Sequence, residues 1–389
     1  MAESAAPSML DAARDIAQRL GDRSIEIEQA RTLPVDLVAE LAGAGLFRTF
    51  VPASLGGSEA SVAEGLAVIE ELAVADGATG WCVMIAMTTG LLGGFLPIDH
   101  AKAVYGPVEA ITGGFAAPVG RATALAGGGL RVSGRWAWGS GTRHCTWIGG
   151  GCRLVDDDGA PTTRGDGLVA PFVLFDPADV ELLDTWHVTG LKGTGSTDYQ
   201  VADVVVPEGR WVQPNIDQPR EPGPLYRFSF FGMLALGISS VALGLARRAI
   251  EELVVLATDK RPQGSSRSLA ERAPIQAEVA LAEAEVRAAA AFVAAAVDDA
   301  WTGVSAGNPI TDEQRRLLRL AATNATLASA RAVDRCYTAG GGAAIYEQSP
   351  LQRVFRDVHV ATQHAMVAPR TLELVGRLRL GLPTDTGQL

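Results

Sequence analysis

The chain has 389 residues, 48% of them hydrophobic, and its 33 Lys and Arg are set against 44 Asp and Glu for a net charge of −11. That length suggests two or three domains around a large apolar core. The acidic balance, with basic residues interspersed among acids, excludes the basic face that a nucleic-acid partner needs. Four cysteines, Cys82, Cys145, Cys152 and Cys336, form no CxxC pair and no metal-ligand spacing, so they read as reduced, mostly buried thiols of a cytoplasmic protein.

The opening "MAESAAPSMLDAARD" carries early acids and no apolar core, which is not the pattern of a secretory signal. Residues 1–110 read as a helical domain. Leu10, Ala13, Ile16 and Leu20 recur at helical spacing, Pro34 stands where a first helical turn tolerates it, and the stretch after Asp76 continues as nearly uncharged helix. The texture changes near Ile111. Residues 111–215 are rich in Gly, Val, Thr and Trp, with strands expected at "LRVSGRWAW", "LVAPFVLFD" and "DYQVADVVVP" between turn clusters.

A proline-rich linker leads to residues 216–389, which read as helical again. Residues 228–246, "FSFFGMLALGISSVALGLA", hold no charge and are long enough to span a bilayer. Their glycines and serines, and the lack of any second such run, favour a buried central helix instead. Ile275, Val279, Ala282, Val286, Ala289, Val293 and Ala296 step alternately by four and three, a continuous seam for partner helices. The fold class is therefore α+β: a helical domain, a β domain, then a helical bundle.

The spacing of chemical groups leaves the reaction open. The chain has no GxGxxG after a strand, no GxxxxGK[ST], no HExxH and no GxSxG. "RDVHVATQHAM" places His359 and His364 inside an expected helix, but five positions apart. They do not share a face, so no metal is expected.

Five segments in order are similar to the acyl-CoA dehydrogenase superfamily: "VPASLGGSEAS" from Val51, "GRWAWGSGTRHCTWIGGG" (residues 134–151), "DTWHVTGLKGTGSTDYQVADVVVPEGR" (184–210), "DKRPQG" (259–264) and "GGGAAIYEQSPLQRVFRDVHVATQH" (340–364). The resemblance implies a middle β-barrel-like domain, a C-terminal four-helix bundle, a flavin between them, and a homotetramer. A thioester dehydrogenase needs a carboxylate base. Where most members carry it, after the "RD" helix, this chain has Ala365, and the other family position falls in "FFGMLALGISS", which has no acid. The "QH" ending, the "GRWxxxSG" loop and the "TGxxGTGS" turn resemble instead the flavin-dependent monooxygenase branch. That branch implies an oxygenase component fed with reduced FMN or FAD by a separate reductase and acting with O₂ on an apolar, aromatic or polycyclic small molecule.

By this resemblance His364 lies near the reactive edge of the flavin and handles a proton, its pKa being near working pH. Ser140 bonds the flavin or the oxygen it carries; a plain turn serine is the equal alternative. Trp138 and Gly139 pack at the ring, with a core tryptophan of the β domain as the equal alternative for Trp138. Thr194 and Ser196 offer hydroxyl and backbone donors, with a tight turn ahead of the next strand as the plainer reading. Arg261 meets the cofactor phosphates from a neighbouring subunit, and Gly340 and Gly341 approach its tail. Tyr337 replaces the usual Gln there and leaves FMN or FAD open. Trp81, Met84 and His144 are candidates for substrate contact, with core packing for the first two, or a strand-surface histidine for the third, as the plainer readings. His359 reads as structural. Two alternatives stay open at this point: an acyl-CoA dehydrogenase or oxidase with an unrecognised base, and a non-catalytic binding member of the fold.

Overall fold

The computed structural model describes residues 8–389 except 157, 165–166, 214–215 and 388. The N-terminal stretch before Ser8 and the expected boundary at residue 215 lie outside the described residues. Six helices come first: α1 (Met9–Leu20), α2 (Ser24–Ala30), α3 (Val35–Gly43), α4 (Val62–Ala75), α5 (Gly77–Gly90) and α6 (Ile98–Tyr105). α4 begins with a reciprocal cap, in which Ser61 Oγ accepts the Glu64 N–H and Glu64 Oε2 accepts the Ser61 N–H. α5 follows at once, capped by Asp76.

Nine strands follow among the described residues: β1 (Thr112–Ala124), β2 (Leu130–Gly139), β3 (Trp147–Val155), β4 (Thr163–Arg164), β5 (Gly167–Leu168), β6 (Phe172–Phe175), β7 (Glu181–Leu183), β8 (Thr197–Val206) and β9 (Trp211–Val212). Seven of them form one sheet in the order β7-β8-β2-β1-β3-β6-β9, and β4 pairs with β5. β1 runs antiparallel to β2 but parallel to β3, with a register shift between Phe115 and Gly120. Pro118 falls in that shifted stretch, where a missing backbone donor breaks no ladder bond.

Trp136 centres the sheet's core. It is fully buried, lies nearly flat on Tyr199 with ring centroids 5.3 Å apart, and donates Nε1–H to the Gly151 carbonyl at 2.8 Å. Its indole fills the space that a side chain at Gly150 would need, a Cβ there falling 2.5 Å from the ring.

The last part holds α7 (Phe230–Asp259), α8 (Ala273–Ser305), α9 (Asp312–Gly340), α10 (Pro350–Thr362) and α11 (Arg370–Arg379). α7 is the helix expected from the uncharged run, and it packs on α9, α4, α10, α5 and α8. It is long and apolar enough to cross a membrane, yet most of its apolar stretch is buried inside the fold. Two glycines permit the close approach: a Cβ at Gly237 would fall 2.5 Å from Met84, and one at Gly244 would fall 2.5 Å from the Glu70 carbonyl. On α8 the expected seam faces inward, with Ala282, Val286, Ala289, Val293 and Ala296 all buried. All four cysteines are free and buried.

Replacing Trp136 by Ala removes both the ring stack and the Gly151 hydrogen bond, and should destabilise the fold by about 3–5 kcal/mol. Denaturant unfolding of the purified chain checks this.

Candidate active site

One end of the site is built on α5. The Asp76 carboxylate is buried and accepts from the Thr79 N–H at 2.8 Å and the Thr79 hydroxyl at 2.9 Å. Burial raises its pKa against those bonds. This cap starts a helix that is apolar on nearly every side, and one turn in it presents Trp81, whose Nε1–H donates to Ser140 Oγ at 3.0 Å.

Ser140 comes from the tight turn after β2. Its hydroxyl meets Ser196 Oγ at 2.7 Å, Ser196 meets Thr194 Oγ1 at 2.6 Å, and Thr194 donates to the Leu191 carbonyl at 2.8 Å. Counting donors fixes the direction of this chain. A carbonyl accepts only, so Thr194 spends its proton on Leu191, Ser196 donates to Thr194, and Ser140 donates to Ser196. Ser140 accepts from Trp81 and keeps one lone pair for a ligand. All three hydroxyl residues are buried, and each finds its partners inside the chain, as buried polar groups must.

The turn that carries Thr194 is strained. Leu191 sits in a left-handed conformation with φ 49°, and Gly195 follows at φ 52°. The Leu191 N–H donates to Asp357 Oδ1 at 2.5 Å. A side chain at Gly190 would fall 2.3 Å from the Arg356 carbonyl, so only glycine lets the turn lie against α10. The Thr194 and Gly195 N–H groups are used within the turn, at 3.1 Å each.

His364 closes the arrangement. It does not lie in the helix expected from the sequence, because α10 stops at Thr362. There Thr362 Oγ1 takes the His359 carbonyl, and the Gln363 N–H tightens onto Val360. His364 falls in the next turn, its ring edge-on to Trp81 at 5.8 Å between centroids. The Met366 N–H donates to its Nδ1 at 3.2 Å, which puts the ring proton on Nε2. Burial, with the Arg319 charge on α9, lowers its pKa to about 4. The expectation of a pKa near working pH is therefore corrected: the ring is neutral and presents Nε2–H as a donor.

The structure thus brings Trp81, Ser140, Thr194, Ser196 and His364 together. Trp138 sits beside them at the surface, 61% exposed, at φ 61° and edge-on to Phe115 at 5.7 Å. A large exposed aromatic held in the left-handed region marks a place where a flat ligand would find a face. Gly139 is demanded by packing, since a Cβ there would lie 2.7 Å from Tyr199. His144 is not on a strand surface: it lies in a 3₁₀ turn, Thr142–His144, with both ring nitrogens buried and no hydrogen-bond partner among the described residues. Burial lowers its pKa to about 4. Met84 is fully buried in the α5–α7 seam.

Arg261, Gly340 and Gly341 form a separate group. Arg261 is exposed after α7, where its neighbour Lys260 donates to the Gly340 carbonyl at 2.8 Å, and Gly341 has φ 56°. His359 bonds Asp334 at 2.8 Å and packs on Phe355, which stacks on Tyr337. A polar cleft of about 790 Å³, lined by Glu28, Arg31, Lys192 and Arg356 among others, lies along the outer side of the Leu191 turn; it does not include Ser140 or His364. Sequence reasoning missed Asp76, Asp357 and Arg319; the "RD" pair served there only as a landmark.

The chain matches two family descriptions: acyl-CoA dehydrogenase, N-terminal domain, over residues 6–98, and acyl-CoA dehydrogenase, C-terminal domain, over residues 236–369. It is 33% identical to indole-3-acetate monooxygenase of Pseudomonas putida, over 98% of this chain and 95% of that one. It is 30% identical to the flavin-dependent monooxygenase, oxygenase subunit HsaA, of Mycobacterium tuberculosis, over 97% and 96%. Among solved structures, XiaF from Streptomyces sp. in complex with FADH2 and glycerol superposes with a TM-score of 0.90 at 26% identity, covering 97% of this chain and 96% of that one.

A folded-state pKa near 4 means the His364 imidazole stays neutral across pH 5–8. Nitrogen chemical shifts of the histidine rings, with His364→Gln to identify the signal, should show no titration of this ring in that range. A midpoint near 6.5 would contradict the geometry.

Proposed function

Because this chain belongs to the acyl-CoA dehydrogenase superfamily, and within it to the oxygenase components of flavin-dependent monooxygenases, we propose that the run from Trp81 to Thr194, with His364 over Trp81, is where oxygen reaches the substrate. The single observation that carries this reading is the continuity of that run: five residues from four stretches of the chain, joined by hydrogen bonds of 2.6–3.0 Å and one ring contact.

When bound, reduced flavin supplies two electrons to O₂, so that one oxygen atom enters the substrate and the other leaves as water. The residues present fit such a group. The exposed face of Trp138 suits a flat ring, and the free lone pair of Ser140 suits a ligand N–H. Arg261, Gly340 and Gly341 fit the role of holding cofactor phosphates for a neighbouring subunit in a homotetramer, since a guanidinium fork binds phosphate well. Tyr337, stacked on Phe355, leaves either FMN or FAD as the cofactor. A separate reductase supplies the reduced form.

His364 acts as a hydrogen-bond donor through Nε2–H, because its Nδ1 is committed to Met366 and its pKa is low. It steadies oxygen during transfer and does not start as a charged acid. The apolar walls of α5 and α7 keep water away, which protects a reactive oxygen species from loss as peroxide. An aromatic, apolar substrate fits these walls. The names of the Pseudomonas putida relative, an indole-3-acetate monooxygenase, and of a Rhizobium relative, an FADH(2)-dependent resorcinol hydroxylase, support an aromatic substrate. Trp81 and His144 are the nearest candidates to meet it, whereas Met84 acts by shaping the α5–α7 seam. A cytoplasmic setting fits the four free, buried cysteines.

The test mixes the chain anaerobically with reduced FMN or FAD, then with oxygenated buffer and a panel of indoles and phenols. The wild-type chain should change the flavin oxidation rate from that of free flavin and give oxygenated product. His364→Ala should still oxidise flavin but release hydrogen peroxide in its place, lowering product per flavin by tenfold or more. Flavin oxidation at the free rate with no product from any probe, or unchanged coupling in His364→Ala, would sink the reading.

A further inference from the structure

Asp357 is a buried carboxylate that the chemistry above leaves unused. It lies on the inner face of α10, 7% exposed, in the same helix that ends just before His364. Its Oδ1 accepts the Leu191 N–H, while the Leu191 carbonyl accepts the Thr194 hydroxyl. Leu191 is thereby held at both ends of its backbone, in a left-handed conformation that strains a leucine and persists only under constraint. The surroundings leave little slack. Arg356 donates to the Thr189 carbonyl, and the Gly190 backbone lies directly on that of Arg356.

From Leu191 the contacts run through Thr194, Ser196 and Ser140 to Trp81, and from Trp81 to His364. His364 follows α10, where Asp357 stands. The set is therefore a closed ring, and Asp357 is the point at which α10 grips the hydroxyl chain.

We propose that Asp357 is a positioning residue for oxygen transfer: its ionised carboxylate fixes Leu191 and so sets the Ser140 hydroxyl against Trp81 and His364, and the acidic limb of the coupling profile belongs to Asp357 and not to His364. The activity half of this inference rests on the oxygen-transfer reading of the site; the positioning half does not.

Burial first, and then the charges around Asp357, set its protonation. Asp76 faces it from the start of α5, Glu28 from α2, and Arg356 from α10 itself. Arg356 and Lys192 are both drawn to Glu28, at 2.6 and 3.0 Å, and Arg353 acts on Asp76. Burial prevails over the Leu191 hydrogen bond and the Arg356 charge, and Asp357 is pushed up to about 7. On protonation the carboxyl becomes a weaker acceptor and gains an O–H beside Asp76, which loosens its hold on Leu191. His364 cannot supply the same limb, since its pKa lies near 4.

The test is hydrogen exchange by mass spectrometry on the flavin-free full chain, following the segment 187–197 at pH 6 and pH 8 after correction for intrinsic rates. The wild-type chain should lose protection there tenfold or more on going from pH 8 to pH 6, with α8 and the sheet core unchanged. Asp357→Asn keeps an acceptor but cannot titrate, so its protection should be the same at both pH values. Asp357→Ala should lose protection at both. Product per flavin should fall below pH 7 in the wild type and stay flat in Asp357→Asn. Equal acid sensitivity in wild type and Asp357→Asn overturns the proposal, as does unchanged protection in Asp357→Ala. If Asp357→Ala does not fold, the Asp357→Asn comparison decides alone. Expected exchange in a protein that gives no product from any probe supports the clamp and overturns the oxygen-transfer reading.

Discussion

The bond from the Thr194 hydroxyl to the Leu191 carbonyl orders the rest of the site. A carbonyl cannot donate, so it sets the direction of every proton upstream, through Ser196 to Ser140 and Trp81. Were that end reversed, Ser140 would present a proton in place of a lone pair. Because the hydroxyls are buried, none of them has water as a substitute partner, and an unmade bond would cost about 1–3 kcal/mol. The direction of the hydroxyl chain is thus set at one peptide group, in a left-handed turn that α10 and the Thr194 side chain hold.

The wider fold brings these pieces within reach. α7 is surrounded by α4, α5, α9 and α10, and its glycines at 237 and 244 let α5 and α4 lie close. α5 can then point Trp81 at a serine from the β domain while its far side packs on the bundle. On the β side, Trp136 and Tyr199 make the rigid floor under Gly139. The Tyr199 hydroxyl accepts from the Phe115 N–H at 2.9 Å and donates to the Gly149 carbonyl, tying β8 to both β1 and β3. The site therefore draws on the first helices, the sheet and the last helices, which share one continuous apolar core, and its geometry depends on all of them.

Patterns with short range were legible in the sequence. The four-and-three stepping on α8 reappears as a seam buried from Ala282 to Ala296, and the uncharged run at 228–246 becomes, from Phe230 on, a mostly buried helix. Ser140, Thr194, Ser196 and His364 could be named because motifs carried them, and Trp81 because it stands on an apolar helix. What could not be read was long-range pairing. Asp357 reaches Leu191 across 166 positions, and the parallel pairing of β1 with β3 leaves no periodic mark. The pKa of His364 depends on burial and on Arg319 from α9, so the ordinary imidazole value gave the wrong protonation range. The end of α10 at Thr362 was hidden for a related reason: a threonine bonding back to its own helix reads locally as one more helical residue.

Burying both a carboxyl and imidazoles at one site has opposite consequences for stability. Asp357 has a higher pKa in the fold than the usual carboxylate value, so the folded chain binds the extra proton between about pH 4 and 7, and stability from this group falls as pH rises through that window. His364 and His144 have lowered values near 4. Unfolded, they bind protons below about pH 6.5 that the fold refuses, so their contribution is present above that pH and is lost as pH falls towards 4. Between pH 4 and 6.5 the slopes oppose one another, two imidazoles against the Asp357 carboxyl, and Asp76, also raised by burial, adds to the carboxyl side. Above 6.5 the imidazoles no longer change, and ionisation of Asp357 weakens the fold while tightening the Leu191 turn. The state in which the turn is best gripped is thus not the state in which this group favours folding most, as expected where a buried charge is kept for position and not for stability.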